Sequence, residues 1–211
     1  PETRLMRAGS EPFLVRGPRP SASAAFLGYV SSGVAHIAFG VDHLLFVLGL
    51  LLLMKSTRSL FLTLTAFTLG HSVTIAAASL GLVTVAQAPI ELLIALSIAV
   101  LAREALVPSD SLTRRAPWLV AAGFGLLHGF DLAGALRDMG IPRDDLALGL
   151  VGFNVGVELG QIAFVAVMVA IALLLRRVRV PERFASVTAA YAMGAFAIAW
   201  GLERAQALAL G

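Results

Sequence analysis

The sequence predicts an all-α fold: a polytopic transmembrane helix bundle of about six spans. Three observations carry this. Of the 211 residues, 58% are hydrophobic and only 14% charged, against roughly 25% charged in an ordinary soluble domain. Mean hydropathy is +0.88. The apolar residues gather into six stretches, each close to or beyond the length that crosses a bilayer. So short a chain has too little interior to hide that much apolar surface from water. Intrinsic disorder needs the opposite composition. Lipid is therefore the expected solvent for most of the chain.

Residues 1–23 carry Arg4, Arg7, Arg16 and Arg19 among Pro1, Pro12, Pro18 and Pro20. No apolar core of signal-peptide type stands there. This segment reads as an extended, non-cytoplasmic lead-in, or as the tail of an upstream domain. The membrane part is expected over 24–205, with a short tail over 206–211. Its apolar stretches are 24–54, 60–80, 89–106, 117–136, 146–175 and 184–202. A bilayer core of roughly 30 Å needs about 20 helical residues. The first stretch is too long for one upright span, and Gly33 and Gly40 offer places to break it. A tilted or interfacial helix up to about Phe39, followed by the spanning helix, is expected there. The fifth stretch is also long and is expected to tilt or project. Pro89, Pro117, Pro142 and Pro181 lie at or before helix starts, where a missing N–H costs nothing.

Lys and Arg set the expected topology. The loops after spans one, three and five hold Lys55, Arg58, Arg103, Arg114, Arg115, Arg176, Arg177, Arg179 and Arg183, whereas those after spans two and four hold Arg137 and Arg143. The first set is expected on the cytoplasmic side, which leaves both termini non-cytoplasmic. Net charge is +3, from 16 basic and 13 acidic side chains. The basic residues sit in short loops rather than on one face, so no nucleic-acid partner is expected. Cys is absent, which removes disulfides and thiolate metal sites.

The chemistry lies in the polar groups inside the spans. All four histidines, His36, His43, His71 and His128, fall in apolar stretches, as do Asp42, Glu91, Asp131 and Glu158. An ionisable group at bilayer depth costs on the order of 3 kcal/mol. Acids and imidazoles gathered without basic partners call for a cation or a proton. On an unbroken helix His36 and His43 share a face, while Asp42 points about 100° from His43. A bend at Gly40 would bring all three together. Thr68, His71 and Thr74 form a slanting polar row on the second span, with Ser72 beside it. These hydroxyls either orient the imidazole or line a path, or bond back to their own helix. On the fourth span, His128 and Asp131 share a face, so that both meet one ion or Asp131 orients His128. On the fifth, Asn154, Glu158 and Gln161 form one polar stripe beside a packing stripe of Gly152, Gly156 and Gly160. Glu91 at a helix start reads as a partner of the helix dipole. Trp118 and Trp200 read as interfacial anchors. Around His71 and His128 the sequence rhymes: Phe67-x-x-x-His71-Ser72 and Phe124-x-x-x-His128-Gly129, the pattern of an internal duplication.

Four motifs, in order and on four spans, carry a family resemblance. They are His36-x5-Asp42-His43-Leu44-Leu45-Phe46; Phe67-Thr68-Leu69-Gly70-His71-Ser72-Val73-Thr74; Phe124-Gly125-Leu126-Leu127-His128-Gly129; and Phe153-Asn154-Val155-Gly156-Val157-Glu158-Leu159-Gly160-Gln161. Together they resemble the HupE/UreJ family of bacterial membrane proteins, in the branch with an exported N-terminal segment. The resemblance implies about six helices in the bacterial inner membrane and a role in nickel or cobalt uptake. The family's signature histidines and aspartate fall on His36, Asp42 and His43.

Three functions fit these residues. The first is a permease or binding protein for a divalent transition metal, Ni, Co or Zn. Imidazole and carboxylate suit those ions, and the lack of Cys disfavours Cu(I). Its metal ligands would come from His36, Asp42, His43, His71, His128, Asp131 and Glu158, with Thr68, Ser72, Asn154 and Gln161 supporting them or lining the path. The second is an intramembrane zinc-dependent hydrolase. The third is a structural or assembly protein with a buried His/acid network. The expected partners are a metal ion and the lipid bilayer, with a homo-oligomer left open.

Overall fold

The computed structural model describes residues 21–107, 110–138 and 146–210, without the side chains of 132–138. Most of the lead-in, and the loop that holds Pro142 and Arg143, lie outside the described residues. The rest is helical, and no strand occurs among the described residues. The helices are α1 (Ala22–Phe39), α2 (Val41–Leu53), α3 (Thr57–Ser79), α4 (Gln87–Leu106), the short α5 (Leu112–Arg115), α6 (Pro117–Asp138), α7 (Leu146–Arg177) and α8 (Glu182–Leu210).

Local chemistry sets these boundaries. The Ser21 hydroxyl accepts from the Ala24 amide at the start of α1, and Ser56 caps α3 in the same way through Ser59. Pro117 opens α6, where no amide partner is lost. Gly81, at φ +74°, closes α3, with the amides of Gly81 and Leu82 turning back to Ala78 and Ala77. Helix α8 continues to Leu210, past the membrane boundary expected at 205.

Among the described residues, four helices, α1, α3, α7 and α8, are long and apolar enough to cross a membrane by length and composition. Helix α4 matches them in length but carries Glu91, Arg103 and Glu104. Glycines, His128 and Asp131 dilute α6. Large side chains face outward all along the bundle, among them Leu62, Leu69 and Val73 on α3 and Val167, Ile171 and Leu174 on α7. In water such a surface would aggregate; in lipid it is solvated. The chain is an all-α membrane bundle.

The first apolar stretch breaks at Gly40, as its sequence suggests, for a reason that the sequence leaves hidden. Gly40 has φ −78° and ψ 92°, a conformation open to any residue. What excludes a side chain is space: a Cβ there would lie 2.7 Å from the His36 carbonyl oxygen and 3.0 Å from His43 Nδ1. The two halves also divide the work differently than expected. Helix α2 has 13 residues, about 20 Å by the helical rise and too short to span alone. Helix α1, the expected interfacial piece, has 18 residues and is itself of spanning composition. The bent α1–α2 rod follows the 32-residue α7.

Close glycine contacts define how the helices pair. Gly152 meets Phe26 and Tyr29, Gly156 meets Val30 and Gly33, and Gly160 meets Ile37, so α1 and α7 run parallel with backbones nearly touching. Gly70 lies against Ala122, Gly125 against Phe67, and Gly129 against His71 and Thr74, which makes α3 and α6 a second parallel pair. Gly194 meets Ala102 while Gly201 meets Ala95, so α4 and α8 are antiparallel. Six passes in alternating direction require these three relations between first and fifth, second and fourth, and third and sixth. The rhyming segments around His71 and His128 thus lie side by side on parallel helices.

An apolar core of Phe46, Leu50, Leu64, Phe67, Ile94, Ile98, Leu101 and Met193 binds α2, α3, α4 and α8 together. A smaller group, Ile37, Ile75, Phe153 and Val157, packs α1 against α3 and α7. The histidines lie between these two groups.

Candidate metal centre

The break at Gly40 places His36 in the last turn of α1 and His43 in the first turn of α2. On a straight helix they would stand about 10 Å apart along the axis. Their ring centroids are instead 4.5 Å apart. His71 arrives from α3, with centroids 5.8 Å from His36 and 5.5 Å from His43. One ligand atom from each of His36, His43 and His71 lies within 4.8 Å of the other two. His128, from α6, stands 5.0 Å from His43 by ring centroids. Four imidazoles from four helices therefore form one cage.

The cage is buried and polar at once. His43 is 1% exposed, and His71 and His128 are fully buried. Phe67 and Phe46 stand 5.1 and 5.4 Å from the His128 ring, and Phe153 stands 5.5 Å from His36. Yet His36 Nε2, His43 Nε2, both nitrogens of His71 and His128 Nε2 have no hydrogen-bond partner among the described residues. A single buried unsatisfied polar atom costs about 1–3 kcal/mol. Five in one place are hard to explain by packing alone; a neutral imidazole offers one lone pair, so an ion would take one nitrogen from each ring.

His128 makes the point sharpest. Its Nδ1 lies 2.8 Å from the Phe124 carbonyl oxygen. A carbonyl only accepts, so Nδ1 carries the proton and Nε2 presents a lone pair. That lone pair stands 4.0 Å from Asp42 Oδ2. Two acceptors face one another, an arrangement that suits a cation. Asp42 also contacts His43 Nδ1 at 3.1 Å. A carboxylate on one ring nitrogen frees the other to ligate.

The remaining sequence-selected residues lie around this cage. Asp131 does not orient His128: its Oδ1 accepts from Gln87 Nε2 at 3.2 Å. It lines a cavity of about 210 Å³ with Asp42, Glu91 and Trp200. Asp42 belongs to both the cavity and the cage. Glu91 lies in the second turn of α4 and pairs with Arg204 Nε at 2.9 Å. This ion pair replaces the helix-dipole role expected for it. Trp200 faces the same cavity, and Trp118 is exposed at the start of α6.

Glu158 stands apart from the imidazole cage and accepts from Thr65 Oγ1 at 2.6 Å. Next to it, the Thr68 hydroxyl lies 3.2 Å from the Leu64 carbonyl oxygen of its own helix and 3.3 Å from Gln161 Oε1. Asn154 Nδ2 donates to the Leu150 carbonyl at 2.8 Å, leaving its Oδ1 buried without a partner. Ser72 Oγ donates to the Thr68 carbonyl at 2.6 Å, the back-bonded alternative. Thr65, Gln87 and Arg204 belong to this neighbourhood but escape the sequence reading, and Phe46 and Phe153 enter it only as members of the family motifs. Only Phe46 carries a local signal, one turn after His43 on the same face.

A polytopic helical membrane protein with a buried imidazole–carboxylate cage is what the fold and the site define. The model of the HupE / UreJ protein family matches residues 15–204, and the chain belongs to that family. Comparison with curated proteins and with solved structures returns no significant match.

Proposed function

We propose that the protein is a permease for a divalent transition metal, Ni, Co or Zn, in the bacterial inner membrane. The observation that carries this reading is the set of buried, partnerless nitrogens of His36, His43 and His71, held within 4.8 Å of one another. Imidazole with one carboxylate suits these ions. Asp42 supplies negative charge, and no Lys or Arg among the described residues shares the cage. Ligands on separate helices bind a dehydrated ion and release it when the helices shift.

The neighbouring polar groups outline a route. With the basic loops cytoplasmic, the carboxylate-lined cavity opens on the outer side, since α4 begins there and α6 and α8 end there. Asp42 passes the ion from this cavity to the histidines. The Thr68–Gln161 and Thr65–Glu158 pairs continue towards the cytoplasm along the α3–α7 contact. Glu158 is a ligand or proton acceptor on that segment.

The test is metal accumulation in cells. His43→Ala and His128→Ala are each expected to abolish accumulation of the transported ion while the protein stays in the membrane. Accumulation unchanged in both variants rejects the permease. A bound zinc that does not exchange points to a hydrolase instead, and a purified protein that takes up no stoichiometric ion points to a structural role.

Gly40→Ala provides a subtler test. Its methyl crowds the His36 carbonyl and the His43 ring. Metal retention by the purified protein is expected to fall about tenfold, as when a supporting contact of a metal ligand is lost. Membrane insertion is expected to be unchanged. Retention equal to the native protein would show that the bend geometry does not set affinity.

A further inference from the structure

At the end of the bundle opposite the carboxylate-lined cavity lies a second cavity, of about 430 Å³. Lys55, Arg114 and Arg115 line it, with the hydroxyls of Ser56 and Ser59 and the ring of Pro117. No carboxylate is among its lining residues. Lys55 has no ion-pair partner among the described residues. Both arginines are oriented by acids outside the cavity. Arg114 donates to the Glu104 carbonyl oxygen, with its Nε 3.7 Å from the Glu104 carboxylate. Arg115 grips Asp110 through Nε and Nη2. A guanidinium has five N–H groups, so each arginine keeps donors to spare.

The backbone adds to this charge. Because α3 and α6 are parallel, both begin at this end. Ser56 and Ser59 belong to the first turn of the 23-residue α3, and Pro117 opens the 22-residue α6. Two helix N-termini, each with positive partial charge, thus flank the same cavity. The cationic side chains, the Ser56 hydroxyl and the two helix dipoles match an oxyanion with several acceptor oxygens. Exposed Trp118 beside Pro117 marks the level of the bilayer interface.

We propose that this cavity, lined by Lys55, Arg114, Arg115, Ser56 and Ser59, binds a phosphate group. Its source is an anionic phospholipid headgroup or free phosphate. Bound there, the phosphate ties together the ends of α2, α3 and α6, the helices that carry His43, His71 and His128. Binding does not depend on the metal reading and is measured without added metal.

The experiment uses the purified full chain. Retention of phosphatidylglycerol and of phosphatidylcholine is compared by native mass spectrometry, and Tm is measured with and without inorganic phosphate. Preferential retention of one phosphatidylglycerol is expected. Lys55→Ala is expected to weaken it about fivefold, and Lys55→Glu more. Arg183→Glu, which removes a basic residue from another loop, is expected to leave it unchanged. If inorganic phosphate raises Tm and displaces the lipid in a Lys55-dependent manner, free phosphate is the ligand and the phosphate site stands. If neither phosphatidylglycerol nor phosphate binds in preference to phosphatidylcholine, the proposal is overturned. It is equally overturned if Arg183→Glu weakens binding as much as Lys55→Glu.

Discussion

Replacing His71 by alanine is expected to remove stoichiometric binding of nickel, cobalt and zinc by the purified protein. His71 is fully buried, both of its ring nitrogens lack partners, and one belongs to the close triad with His36 and His43. Loss of a group that merely supports a metal ligand lowers affinity about 10- to 100-fold. Loss of a ligand itself should exceed that, by about 100-fold or more in Kd, as read by isothermal titration or equilibrium dialysis. Ser72→Ala provides the control, because that hydroxyl already bonds its own backbone. Native affinity in His71→Ala would place the ion elsewhere. So would an equal loss in Ser72→Ala.

The second large effect is expected from Gly125→Leu. A Cβ at Gly125 overlaps the Phe67 carbonyl oxygen, and backbone cannot swing aside as a side chain does. Helix α6 would have to part from α3 along the contact that brings His128 beside His71. Overpacking a close-packed interface costs about 1–3 kcal/mol, and a backbone clash belongs at or above the upper end. The expected result is a lower Tm in detergent and a reduced folded fraction in the membrane. Gly123→Ala tests the specificity of this claim. On the same helix, a Cβ at Gly123 meets nothing within 4 Å. That variant should match the native Tm. If both variants behave alike, the α3–α6 contact is not what holds the bundle.

These two sites mark how far the sequence could be read. The apolar stretches are legible because lipid leaves few alternatives for a segment of their length. The buried histidines are legible because imidazole is costly at bilayer depth. Gly40 is legible as a break, although the cause is crowding by His36 and His43 rather than an unusual backbone angle. Partners far apart along the chain are not legible. Nothing local to Glu91 announces Arg204, and nothing beside Glu158 announces Thr65. Asp131 shows the limit well. Three positions after His128 on one face, it invites a pairing that the side chains do not make. Instead the Phe124 carbonyl engages the ring, and Asp131 reaches Gln87 at the start of α4. Helical spacing states which side chains are neighbours, but not which neighbour a rotamer prefers.

The parallel seating of α1 on α7 has a consequence for biosynthesis. Gly33 meets Phe153 and Gly156, residues made long after it. At about 5–20 residues per second, α1 waits on the order of ten seconds for its mate. His36 rides on α1, so α7 must be made before the fourth imidazole is held in place. A nascent polypeptide that still lacks α7 should therefore hold an incomplete imidazole cage.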